Sequence, residues 1–163
     1  MLVVGTETWA VDRAIRQLQQ AGFRVVTCPL ADDPSRSCAA LDGSACDLDD
    51  HVDVVLVVRA RPLDRVVRSE LGAVCALRRG TPLVLAGAGA HHPFAAFAAT
   101  TIDLDGDLVG ACRWVAASGP TEHPEAALDG LELEVRVGPQ PSEARWVQHL
   151  AHPVPVTGDG LTG

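Results

Sequence analysis

Two carboxylates stand six residues apart in the stretch Pro62-Leu63-Asp64-Arg65-Val66-Val67-Arg68-Ser69-Glu70-Leu71-Gly72. A pair of acids is the usual equipment for chemistry at an acetal-like carbon, one attacking or stabilising charge while the other moves a proton. From Leu63 to Arg79 the pattern predicts a helix, which Gly80 closes. At about 100° per residue, Val66, Val67, Leu71, Ala73, Val74, Cys75 and Leu77 fill one arc of that helix, and Glu70 falls inside it. Arg65, Arg68 and Arg79 lie on the other side. An unpaired carboxylate on a core-facing stripe costs roughly a few kcal/mol of desolvation, so Glu70 requires a reason to be there. Either it is salt-bridged to a nearby arginine such as Arg59 or Arg61, or it faces a ligand cleft. Asp64 is too far round the helix to share that face. The two acids converge only if Asp64 belongs to the preceding loop or cap; otherwise it simply caps the helix.

Other residues offer less. His91 and His92 follow Ala86-Gly87-Ala88-Gly89-Ala90 at a place where ligands are met and where an imidazole can act near neutral pH, but adjacent side chains on an extended chain point apart, against a shared metal. No metal site is expected. Gly5-Thr6-Glu7-Thr8-Trp9 has a single glycine and lacks the G-x-G-x-x-G of a dinucleotide loop, leaving Thr6 and Thr8 to cap a helix or hold a small anion at its N-terminus. The cysteines Cys28, Cys38, Cys46, Cys75 and Cys112 are odd in number and form no C-x-x-C, the pattern of small buried hydrophobes. The chain contains no lysine, which excludes P-loop, Schiff-base and lysine-dependent phosphorelay chemistry.

The elements that must position these groups alternate. Met1 to Gly5 reads as a strand, the stretch from Trp9 to Leu18 as a helix stopped by Gly22, and Phe23 to Cys28 as a second strand. Residues 31–50 read as a loop with at most one short helix. Asp53 to Val58 is an unbroken apolar run of the kind that fills a central parallel strand, and Pro82 to Ala86 and Thr100 to Leu104 supply the fourth and fifth strands. A helix from about Asp105 to Ala117 follows. The expectation is a three-layer, doubly wound α/β domain over residues 1–117, with a mostly parallel five-stranded, flavodoxin- or Rossmann-like sheet. Residues 118–163 form a short irregular C-terminal extension with one possible strand, Leu131 to Val137, and a short helix around Trp146. In such sheets ligands bind beyond the carboxyl ends of the strands, so the loops after residues 5, 28, 58, 86 and 104 are where function belongs.

Composition narrows the partners. With 163 residues, 47% hydrophobic and 21% charged, the chain fits one globular domain, and no apolar run reaches the roughly 18 residues of a membrane span. A net charge of −8, from 13 basic against 21 acidic residues, argues against nucleic acid or an anionic membrane as partner. The opening MLVVGTETW reads directly as a strand without a basic leader, and the expected compartment is the cytoplasm.

Asp53-Val54-Val55, the loop with Asp64, then Glu70-Leu71-Gly72, Ala76-Leu77, Gly80 and Pro82-Leu83-Val84 together resemble the nucleoside 2-deoxyribosyltransferases and related nucleotide N-glycosidases. Ala21-Gly22-Phe23-Arg24-Val25-Val26 through Pro29 extends the similarity backward, so that it covers roughly residues 1–117. What the resemblance implies is a Glu70 nucleophile attacking the anomeric carbon of a nucleoside or nucleotide, Asp64 handling the proton of the leaving base, and Asp53 contacting that base. Gly5, Thr6, Arg65 and His91 complete the candidate substrate contacts. It implies no cofactor, and a homodimer or higher homo-oligomer, because related sites are often completed by a neighbouring subunit. The sequence departs from the family where Arg65-Val66-Val67-Arg68-Ser69 crowds the space between the acids, and where the first loop has neither a Gly-Pro nor, in the whole chain, a tyrosine. These departures support a second reading, a catalytically silent nucleotide-binding module, holding its ligand through Arg65 and Arg68, or a protein-interaction module on the same fold.

Overall fold

The computed structural model describes residues 1–28, 52–87, 92–120 and 133–134. Five strands form one sheet: β1 (Leu2–Gly5), β2 (Val26–Thr27), β3 (Val55–Val58), β5 (Leu83–Ala86) and β6 (Ala98–Ile102). Every pairing is parallel and the spatial order is β2-β1-β3-β5-β6. The order reverses between β1 and β3, the point where a doubly wound sheet opens a crevice beyond its strand ends.

Successive side chains on a strand face opposite ways, and here both sides are covered. Val3, Leu56, Val58 and Val84 pack with Ala10, Ala14 and Leu18 of α1 (Thr8–Gln20) and with Leu108, Cys112 and Val115 of α3 (Leu108–Ser118). Leu2, Val4, Val55, Val57, Leu83 and Leu85 pack on the other side against α2 (Leu71–Arg78), with Phe94 and Phe97. This is the three-layer arrangement. All four residues of β3 and of β5 are buried, as an apolar run covered on both faces requires, and each valine or leucine among them contributes about 1.5–3 kcal/mol by leaving water.

The long helix expected from Leu63 is the main difference. Residues 63–65 are irregular, Val66–Val67 form a short strand β4, Arg68–Glu70 make one 3-10 turn, and α2 begins only at Leu71. Two β-branched valines favour extended backbone, and Leu133–Glu134 (β7) supplies them with a parallel partner. Asp64 therefore caps no helix. The second strand is also shorter than the apolar run Phe23 to Cys28 suggests, because only Val26 and Thr27 reach β1 in register. Of the expected extension, the residues around Trp146 lie outside the described part, and of the strand expected from Leu131 to Val137 only Leu133–Glu134 is described; the expected loop 31–50 also lies outside it. Among the described residues, no helix is long and apolar enough to cross a membrane.

Candidate functional site

Arg59 is the first residue beyond β3, and its side chain is completely buried. Glu70, the last residue of the 3-10 turn before α2, is equally buried. Their charged planes meet as a fork: Arg59 Nε donates to Glu70 Oε1 at 2.5 Å, and Arg59 Nη2 donates to Glu70 Oε2. The remaining donors hold the loop that leads from one residue to the other. Nη1 donates to the Leu63 carbonyl at 2.5 Å and Nη2 to the Arg65 carbonyl at 2.8 Å, while the Val67 amide donates to Glu70 Oε2 at 3.2 Å. The guanidinium thus serves as the centre around which residues 63–67 are wound. Neither oxygen of Glu70 is exposed to an open cleft; both are engaged by the protein. A bidentate, charge-assisted pair satisfied by further backbone groups is the condition under which two buried charges are tolerated.

The neighbouring strand end is also occupied from within. Glu7 follows the β1 loop at the N-terminus of α1, and its Oε2 accepts from the Ala60 amide at 3.0 Å and from the Thr6 hydroxyl at 2.5 Å. A carboxylate from the chain itself therefore lies across the switch point, tying the end of β1 to the end of β3. An incoming phosphate there would meet like charge and find that amide taken. Gly5 leaves no room either, since a Cβ on it would come within 2.3 Å of the Val58 carbonyl oxygen and 2.7 Å of Val11 Cγ2. Thr6 and Thr8 do not cap α1 through their side chains; the capping position belongs to Glu7, whose own side chain turns to Ala60.

His92 is 5% exposed, its Nδ1 accepts from the Phe94 amide at 3.1 Å, and its ring lies 5.5 Å from that of Phe94. Nδ1 accepts, so Nε2 carries the proton, and this buried N–H has no partner among the described residues. Burial, and after it the charge of Arg59, push the imidazole down to about 3, so His92 is neutral near pH 7 and a weak base there. No group of three His, Cys, Asp or Glu side chains among the described residues is placed to hold a metal ion.

The expected site residues thus divide. Glu70, Gly5 and Thr6 come together at the carboxyl ends of β1 and β3, with the Arg65 backbone joined to them through Arg59. Asp64 lies in the same loop but is exposed, whereas Glu70 is sealed. Asp53 is exposed just before β3, at the amino end of the sheet, where its charge acts on the Met1 ammonium. The acid expected to contact a base is therefore at the opposite end from Glu70. His91 lies outside the described residues. No family model, curated protein or solved structure matches this chain.

Glu7 was not singled out from the sequence, and Arg59 was named only as one of two possible partners for Glu70. Glu7 carried a signal, an acid directly between a strand-ending Gly-Thr and a helix. Arg59 carried half of one, as one of two arginines within reach of a core-facing acid.

Proposed function

We propose that this domain is a catalytically silent binding or assembly module on a Rossmann-like fold. The observation that carries the reading is the clasp: both oxygens of Glu70 are held by Arg59, so the acid best placed to attack a sugar is committed to fixing the loop 63–67. A nucleophile needs a lone pair directed at the reacting carbon and a water-accessible route for it, and Glu70 has 0% exposure. Asp64 is exposed, whereas Glu70 is sealed by the clasp. Glu7 across the switch point speaks equally against a phosphate-bearing ligand in the usual crevice. The test is base release from 2′-deoxynucleosides, ribonucleosides and their monophosphates, followed by chromatography, with the parent protein and Glu70→Gln. The expected result is release at the buffer rate from both. Release by the parent that disappears in a folded Glu70→Gln protein would restore the glycosyl-bond reading.

A further inference from the structure

Helices α1 and α3 lie side by side on one face of the sheet, joined at one end by Arg113, whose Nη2 donates to the Ala21 carbonyl at 3.1 Å and whose guanidinium stands 6.0 Å from the Phe23 ring centre. Toward the carboxyl edge of the sheet they leave a shallow depression between them, open to solvent. Its floor is Val58 and Ala86, the last residues of β3 and β5, and Leu104 and Leu108 line its α3 side. On the α1 side stand Trp9 and Arg13, one helical turn apart. This depression is distinct from the β1/β3 crevice that Glu7 fills, yet it opens at the same edge of the sheet, where ligands of doubly wound folds are held.

Three features define what would fit. The floor and the α3 side are aliphatic, and the Trp9 indole is 58% exposed beside them, a large ring surface that a hydrophobic body would cover. Arg13 is the single charged residue of the lining, its side chain is exposed, and no carboxylate of the described residues is paired with it. The connection that brings in Leu104 also carries Asp103, Asp105 and Asp107, all exposed, with Asp107 Oδ1 accepting from the Gly110 amide at 2.9 Å to cap α3. The Arg13 guanidinium can pair with one carboxylate against the repulsion of the three flanking aspartates, and that repulsion grows with the charge of the anion.

We propose that the depression between α1 and α3 binds a small amphiphilic monocarboxylate, its aryl or alkyl body on Val58, Ala86, Leu104 and Leu108 against the Trp9 ring and its carboxylate on the Arg13 guanidinium. The proposal rests on the reading of the domain as a binding module and names the ligand class. Trp9 reports occupancy directly. In a Trp114→Phe/Trp146→Phe protein it is the sole indole, and its emission is followed while phenylbutyrate or its neutral amide is added; calorimetric titration of the unaltered protein gives the same affinities without the substitutions. The carboxylate is expected to bind about fivefold more tightly than the amide, the worth of one solvent-exposed ion pair, and Arg13→Gln is expected to abolish that preference while leaving the circular dichroism spectrum unchanged. Equal binding of carboxylate and amide by the parent, a preference that survives Arg13→Gln, or no binding of either at 10 mM, roughly the weak limit for so small a ligand, overturns the proposal. Such a failure leaves the catalytically silent reading standing, because base release alone decides that question.

Discussion

Replacing both members of the Arg59–Glu70 pair should cost far less than the sum of replacing each alone. Glu70→Gln removes the charge facing a guanidinium that is 0% exposed and turns one amide N–H₂ toward its donors. Breaking a buried pair in this way costs about 3–5 kcal/mol, a large share of the roughly 5–15 kcal/mol that holds an ordinary domain together. Arg59→Met should cost a similar amount, because it strands the Glu70 carboxylate with the Val67 amide as its one remaining partner and also releases the carbonyls of Leu63 and Arg65. In the double variant Arg59→Met/Glu70→Leu the charges are gone together, and what remains is the loss at those two carbonyls and one amide, about 1 kcal/mol each. The double variant is therefore expected to lie about 3 kcal/mol below the parent, where additivity would place it at about 6–10 kcal/mol. Urea unfolding followed by far-ultraviolet circular dichroism, with linear extrapolation to water, measures these proteins together with Glu70→Leu, the single variant that closes the cycle and is expected to cost about as much as Glu70→Gln. Single variants within about 1 kcal/mol of the parent, or a double variant equal to the sum of the singles, would show that the clasp does not hold the loop, and with it the argument for a committed Glu70 would fall.

The remaining predictions concern neighbouring features. His92 has a folded-state pKa lowered from 6.5 to about 3, so the unfolded chain binds the extra proton between those values; its contribution is intact above pH 6.5 and is lost as pH falls toward 3. Against a His92→Phe control, the parent should lose about 2 kcal/mol of urea stability between pH 7.5 and pH 5, and an unchanged difference between the two proteins would refute this. Gly5→Ala places a methyl 2.3 Å from the Val58 oxygen within a fixed parallel register, and a loss of about 1–3 kcal/mol is expected; a melting temperature equal to the parent's would contradict the close approach. Burial pushes the Cys112 thiol up to about 12, so peptide-resolved labelling at pH 8 should find it unmodified in the native protein and modified once denaturant is added.

How much of this was legible in the sequence depends on how local the cause was. Asp53-Val54-Val55-Leu56-Val57-Val58 and Pro82-Leu83-Val84-Leu85-Ala86 mark central strands because burial on both faces writes itself as an unbroken apolar run, and the alternation of such runs with helical periodicity implies the parallel sheet that is found. The stretch from Leu63 misleads for the opposite reason. From Leu71 onward the helical arc is real, and extrapolating it back through Val66 and Val67 keeps the period while ignoring a partner some 67 positions further on, Leu133–Glu134, that no local window can see. Glu70 sits between the two regimes. Its burial could be read from the arc, and its pairing with arginine was one of two open outcomes; the choice of Arg59 over Arg61 was fixed only by the first residue after β3 turning inward.

The same edge of the sheet carries two acids, and both are held by the chain itself. Glu7 binds the Ala60 amide and Glu70 binds Arg59, so each closes a loop that would otherwise leave backbone or guanidinium donors unpaired beyond the strand ends. A doubly wound fold that keeps its switch point for a ligand must leave those donors pointing outward, since they are what captures an anion. Filling them from within stabilises the loops and removes the anion site in one step. The consequence is that binding, if it occurs at this edge, must be arranged elsewhere. Among the described residues, the depression between α1 and α3 offers such a place, with Arg13 paired to no carboxylate beside an aliphatic floor and the exposed Trp9 indole.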